Sequence, residues 1–172
     1  MKAGRRQDLA NPALPMPIAC AIGEAMTDDW PDLAGRLAGD AHHLGLRVYY
    51  EDTDFSGVVY HASYLRFMER GRTDLLRLRG VGHAELAEDG LAFVVRRMTL
   101  DFARPARIDD ALVVETCVSG IRGASLTLDQ TVRRADLALV TADVTVALVD
   151  REGRPRRWPS AIRARLAPAP DA

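Results

Sequence analysis

Cysteine is almost absent. Cys20 and Cys117 are the only two in 172 residues. They are too few for a disulfide framework and lack the spacing of a metal-ligand set, which fits a reducing, cytoplasmic setting. An excess of one charge sign is missing too. Lys and Arg number 23 against 24 Asp and Glu, a net charge of −1, which argues against nucleic acid as a partner. No apolar run approaches the length of a membrane span. The amino terminus is basic, but Pro12, Pro15 and Pro17 interrupt its apolar stretch, which argues against a secretory leader. There is no glycine-rich phosphate loop, no internal repeat, and no His, Cys or carboxylate cluster with metal spacing. What remains is ordinary for a globular chain: 48% hydrophobic and 27% charged residues, with a length suited to one domain and one core.

Residues 1–44 are rich in Ala, Pro, Gly and Asp and hold no sustained period. They read as a poorly ordered extension with one short helix near 32–37, and Met16 and Met26 are alternative starts. The folded domain is expected over 45–167, with 168–172 as a tail. Leu46, Val48 and Tyr50 alternate with polar neighbours, a strand pattern. From 62 to 79 the period changes. Tyr64, Phe67, Met68, Gly71, Leu75 and Leu78 recur every three or four residues, the apolar stripe of a helix. Gly71 costs about 1 kcal/mol there against Ala, so a close approach is the expected reason for it. Gly80 and Gly82 end the helix, and His83 falls in a loop. Val94, Met98, Leu100 and Phe102 then share one face of a long strand. Further strands follow at 112–118, Ser125–Arg134 and 137–149, the last rich in Val and expected to be central. Ser160 caps a short final helix to Leu166. The pattern is α+β: an antiparallel sheet with one long helix against it. One helix covers one face, so a second copy of the chain is expected to cover the rest.

The stretch "YYEDTDFSGVVYHASY" (residues 49–64) carries the candidate chemistry. Asp54 stands a few residues before the helix, Gly57 gives a turn, and His61 follows an apolar triplet. Backbone N–H groups at a helix start favour negative charge. A carboxylate beside them could activate water or attack a carbonyl, with the N–H groups holding the oxyanion. The bland alternative is a solvated turn in which Asp54 bonds its own backbone. His61 could orient substrate or move a proton, or simply cap the helix. Glu69 could be an acid, or pair with Arg66, Arg70 or Arg72. His42 and His43 fall in the extension and receive no role. Arg122 sits in the tight turn "IRGASL", where Gly123 lets a ligand approach and arginine could pair with phosphate.

These residues bear a family likeness. "RVYYEDTDFSGVVYHASYLRFMERGRTDLL", "FVVRRMTLDFARPARIDD" and "IRGASL" resemble the hotdog-fold acyl-CoA thioesterases. The nearest group is that of the 4-hydroxybenzoyl-CoA thioesterases, and within it the tol-pal system-associated branch. The likeness spans about residues 46–166; the extension has no counterpart. It implies a hotdog fold, in which an antiparallel sheet wraps one long helix, and at least a homodimer or homotetramer with sites between subunits. It implies Asp54 as the catalytic carboxylate and His61 as its following histidine. Tyr60 and His61 stand where the oxyanion-binding N–H is expected. Arg122, Gly123 and Ser125 match the turn that helps hold the CoA nucleotide in relatives. Independently of the likeness, Arg96 or Arg97 in the basic sheet half is the next candidate for a substrate contact. Gly123 and Ala124 stand where one relative carries additional basic residues. A helix carboxylate, Glu69, is the second choice for the catalytic group. The expected activity is hydrolysis of an acyl-CoA thioester, with CoA part of the substrate and neither metal nor redox cofactor implied. An acyl carrier protein is an alternative thioester carrier. The runner-up is a non-catalytic acyl-binding or envelope-associated scaffold; a hotdog dehydratase is third.

Overall fold

A computed structural model describes residues 33–167. Six strands form one antiparallel sheet: β1 (Arg36–Ala38), β2 (Ala41–Arg47), β3 (Leu91–Phe102), β4 (Ala111–Arg122), β5 (Ser125–Arg134) and β6 (Leu137–Asp150), in the order β1-β2-β4-β5-β6-β3. The helix α1 (His61–Leu78) lies against β2, β4 and β5. Two short helices, α2 (His83–Glu88) and α3 (Ser160–Leu166), complete the order. This is the sheet-around-helix arrangement of the hotdog fold.

The core is the meeting of two apolar faces. Tyr64, Phe67, Met68, Leu75 and Leu76 of α1 are buried against Val114, Leu126, Leu128, Val132 and Val144 of the sheet. Gly71 sits at the closest crossing. A Cβ there would stand 3.0 Å from both Val114 Cγ1 and Thr116 Oγ1, so the glycine serves side chains of β4. The helix ends on Gly80 at φ +69°, with Gly80 N–H bonded to Arg77 O and Val81 N–H to Leu76 O, a Schellman ending that buries Val81. One polar network crosses the core. Arg72 Nη1 donates to Gln130 Oε1 at 2.7 Å, and Gln130 Nε2 donates to Met68 O and Thr116 Oγ1. Burial pushes the Arg72 pKa down, opposed by the nearby Glu69 charge.

Several expectations need correction. The boundary at residue 44 falls inside β2, and β1 begins at Arg36, where the short helix near 32–37 was expected. Residues 1–32 and 168–172 lie outside the described residues. His42 is fully buried on the inward face of β2 with its Nε2 2.7 Å from Ala34 O. A polar residue at an inward position hides the alternation. The strand ends at Arg47, and Tyr50 begins a 3₁₀ turn, 83% exposed. On α1, Leu78 turns outward and Leu76 inward. His83 opens α2 instead of lying in a loop. On β3, pairing with β6 shifts between Val95 and Arg97. That bulge at Arg96 changes which side chains face inward, so Val94 is exposed and Phe93 joins Met98 and Leu100 against the core. Ser160 starts α3 without a side-chain cap. The apolar surface left over is also not where one helix on a sheet would suggest. Part of it lies along the β3 edge, at Val94, Val95 and Phe102, and part on the loop ahead of α1, at Tyr49, Tyr50 and Phe55.

Candidate active site

The acidic run divides into three separate roles. Glu51 is exposed. Asp52 is buried and structural: its Oδ2 accepts Tyr49 N–H at 2.9 Å, and its carbonyl accepts from Ser63 Oγ and Tyr60 N–H. These bonds tie the loop to the first turn of α1. Asp54 then sits in a tight loop closed by Asp54 N–H to Val58 O and Gly57 N–H to Asp54 O, with Gly57 at φ +76°. Val59 N–H bonded to Ala106 O fixes the loop against the β3–β4 connection.

Asp54 and His61 line one open cavity of about 350 Å³, together with Val58, Tyr64, Phe102, Arg104 and Pro105. Asp54 Oδ1 accepts from the Ser56 hydroxyl and, at 2.8 Å, from Ser56 N–H. Those two bonds, the hydroxyl's first, hold the Asp54 carboxyl below its usual range; slight desolvation opposes them and His61 adds a small push downward. The local backbone bond of the bland reading is therefore present, and the same carboxylate also faces the cavity. A depressed pKa makes it a weak base, but keeps it fully ionised at neutral pH.

The backbone N–H groups at the helix start divide into committed and free. Tyr60 N–H is committed to Asp52 O at 2.8 Å, and Ser63 N–H to Tyr60 O. The N–H groups of His61 and Ala62 are the first of α1 and have no acceptor one helical turn earlier. Of the two expected positions, His61 is the one with a donor to offer. The Tyr60 and His61 rings lie 4.3 Å apart at a tilt.

Tyr64 and Phe102 also line this cavity, although the sequence presented them only as apolar. Tyr64 OH accepts Ala106 N–H at 2.8 Å, burial raises its pKa, and its ring meets Phe102 edge-on at 5.9 Å. One signal could have found Tyr64: it lies three residues after His61, one helical turn along the same side.

The other expected site residues lie elsewhere. Glu69 stands eight residues beyond His61, about 12 Å along the helix. It lines a second cavity of about 120 Å³ with Arg72, Leu76, His83 and Phe93, and its Oε1 accepts from the Thr73 hydroxyl. Arg96 is on the exposed bulge of β3. Arg122, Gly123 and Ser125 form the β4–β5 turn, with Gly123 at φ +63°. Ser125 pairs with Ala147 of β6, whereas Phe102 beside Asp54 pairs with Val140. Seven residues of strand, roughly 23 Å, separate those rows. Within one chain the turn and the Asp54 cavity are at opposite ends of the sheet.

Comparison with known proteins agrees with this fold. The model of the thioesterase-like superfamily matches residues 48–169. An acyl-CoA thioester hydrolase, YbgC, of Escherichia coli is 46% identical over 119 residues, covering 68% of this chain and 89% of its own. The acyl-CoA thioesterase YbgC of Haemophilus influenzae is 46% identical over 121 residues, 69% of this chain and 89% of its own. A probable thioesterase of Bartonella henselae superposes with a TM-score of 0.67 at 48% identity, covering 69% of this chain and 99% of that one. By fold, by the loop ahead of α1 and by these relatives, the chain belongs to the thioesterase-like superfamily.

Proposed function

We propose that this protein is a thioester hydrolase that cleaves acyl-CoA to a free acid and CoA, with Asp54 as its catalytic carboxylate. One observation carries the reading: Asp54, His61 and the start of α1 share a single open cavity. A thioester carbonyl placed there meets a carboxylate on one side and helix-start N–H groups on the other. In one route Asp54 takes a proton from water as the oxygen adds to the carbonyl carbon. The oxyanion rests on the His61 N–H, then re-forms the carbonyl as the C–S bond breaks and CoA leaves as thiolate. In the other route Asp54 adds directly, CoA thiolate leaves, and water hydrolyses the mixed anhydride. Both consume one water. The relatives named acyl-CoA thioesterases favour CoA as the carrier.

The same reading makes the enzyme a homodimer or a multiple of it. Exposed Val94, Val95 and Phe102 mark the free edge of β3. Two such edges paired antiparallel about the strand midpoint would put Leu91 of one copy beside Phe102 of the other. The Asp54 cavity of one chain would then adjoin the Glu69 cavity and the Arg122 end of its partner. Among the described residues no helix is long and apolar enough to cross a membrane, and a cytoplasmic setting remains part of this proposal.

The test is release of free thiol from a panel of acyl-CoAs of graded length. Turnover that falls at least about a hundredfold in Asp54→Asn supports the reading. Absence of thiol release across the panel, in folded protein, favours the acyl-binding scaffold instead.

A further inference from the structure

Arg72 is 8% exposed, the one buried Lys or Arg among the described residues. It falls on the inward stripe of α1 between Met68 and Leu75, where an apolar side chain would serve packing. Its charge is not neutralised. Nη1 donates to Gln130 Oε1, and among the described residues Arg72 has no other hydrogen bond and no ion pair. Glu69, almost one helical turn before it, is exposed and accepts from the Thr73 hydroxyl instead. Anchoring α1 to Gln130 does not call for a cation, since a neutral donor would bond that amide oxygen as well. A guanidinium has five N–H donors in a planar fork, and most of this fork is without a partner. A buried cation is costly unless an anion joins it.

Arg72 lines the cavity of about 120 Å³ under the β3 edge. Leu76, Leu126, Leu128 and Val146 make its other buried walls. Phe93 closes one side and is held rigidly, stacked on Trp158 at 5.1 Å and met edge-on by His83 at 5.4 Å. A cavity of about 150 Å³ holds one benzene ring, so this one takes the end of a chain and not a long tail. An apolar chamber with one unneutralised guanidinium in its wall is suited to an apolar chain that ends in an anion.

We propose that Arg72 receives the far end of the acyl group and that this end is a carboxylate, so that the substrate is the CoA half-thioester of a linear dicarboxylic acid. This rests on the thioesterase reading above. Pairing of two β3 edges with Leu91 beside Phe102 sets Phe93 of one copy opposite Leu100 of the other. The Arg72 cavity of one copy then lies two residues, roughly 7 Å along the strand, from Phe102 in the Asp54 cavity of its partner. One copy cleaves the thioester while the other holds the chain end. A carboxylate accepts two parallel N–H bonds from a guanidinium and supplies the missing counter-charge. A methyl end would leave the fork bare, and a hydroxyl would bond it without cancelling its charge. Glu69 opposes a second carboxylate only weakly, because an exposed charge at the rim is screened.

The experiment measures thiol release from matched CoA thioesters of graded length that end in carboxylate, hydroxyl or methyl. At the best length, wild-type kcat/KM for the carboxylate end should exceed that for the methyl end by at least about tenfold, as a charge-assisted pair implies. In Arg72→Met that preference should vanish or reverse, through a rise in KM for the carboxylate-ended substrate. Arg72→Lys keeps the charge without the fork and should retain part of it. Arg70→Ala, an exposed change on α1, should keep it in full. A wild type that prefers the methyl or hydroxyl end at every length overturns the proposal, as does a preference that survives Arg72→Met. Calorimetric titration separates the site from hydrolysis. It compares two CoA thioethers that cannot be cleaved, one with an ω-carboxyalkyl arm and one with an alkyl arm of equal length. Tighter binding of the carboxyalkyl arm, lost in Arg72→Met, upholds the site even if no thioester is hydrolysed. Equal binding of the two arms sinks it. Should Arg72→Met fail to fold, the wild-type comparisons and Arg72→Lys decide.

Discussion

Arg72 and Gln130 join α1 to β5 through the core by a 2.7 Å bond from guanidinium to amide oxygen. The amide nitrogen of Gln130 in turn satisfies Met68 O and Thr116 Oγ1. Gln130→Leu removes every partner at once and leaves a buried cation and a helix carbonyl without their bonds. Unfolding in urea should show a loss of at least about 2 kcal/mol. Thr116→Val, which removes one neutral bond, should cost about 1 kcal/mol. Equal, negligible losses would mean that water or another copy replaces the network.

Gly71 offers a test of sign. Alanine gains about 1 kcal/mol of helix propensity, yet its Cβ would meet Val114 Cγ1 and Thr116 Oγ1 at 3.0 Å. Overpacking of this kind costs about 1–3 kcal/mol, so Gly71→Ala should be neutral to mildly destabilising. Gly71→Val adds bulk at the same contact and should be clearly worse. A stabilised Gly71→Ala, read from its melting temperature, would show that β4 can give way.

Asp54→Asn keeps the shape of the carboxylate and its acceptor oxygen for Ser56. kcat should fall at least about a hundredfold while the melting temperature holds. Glu51→Gln, an exposed change, should leave kcat nearly intact. Asp52→Asn should act on stability, because Asp52 is buried and bonded to Tyr49 N–H. Normal turnover in Asp54→Asn with a collapse in Glu69→Gln would move the chemistry to the helix.

Ser56 sets the acid limit. Its two hydrogen bonds favour the ionised form of Asp54 and lower its pKa. A group depressed in this way stays charged as pH falls and is lost only below the usual carboxylate range. Ser56→Ala removes the larger of the two contributions, so the Asp54 pKa should rise. The acid limb of kcat/KM should therefore move to higher pH, with the neutral plateau retained. A limb that does not move would place the titrating group elsewhere.

The β3 edge should govern assembly. Val95 is 53% exposed in the middle of that strand, and Val95→Lys puts a charge where two edges would meet. Light scattering should report a dimer or its multiple for the wild type and a monomer for the variant. Thiol release should fall with the dimer. A fully active monomer would locate the whole site within one chain.

Strong periods made α1, β5 and β6 legible, because each has one buried face and a long run. The family signature made the Asp54 loop legible, since a turn and a carboxylate alone cannot be told from a solvated bend. Three things were hidden. His42 faces inward while polar, which concealed β2 and moved the expected boundary. The bulge at Arg96 reversed the facing of β3 partway along, and no residue type announces a bulge. Arg122 lies far from Asp54 although both belong to the expected site, because sequence motifs carry no distances.

The two borders of the sheet differ in one further respect. One ends in β1, three residues long and already paired with β2, too short to template another strand. The other is β3, twelve residues long and open along one side. A sheet with one blunt border and one usable border has a valence of one. Joining two copies consumes both open borders, and a two-fold axis closes the object. In such a pair, among the described residues, edge-to-edge addition would find only the short β1 border left.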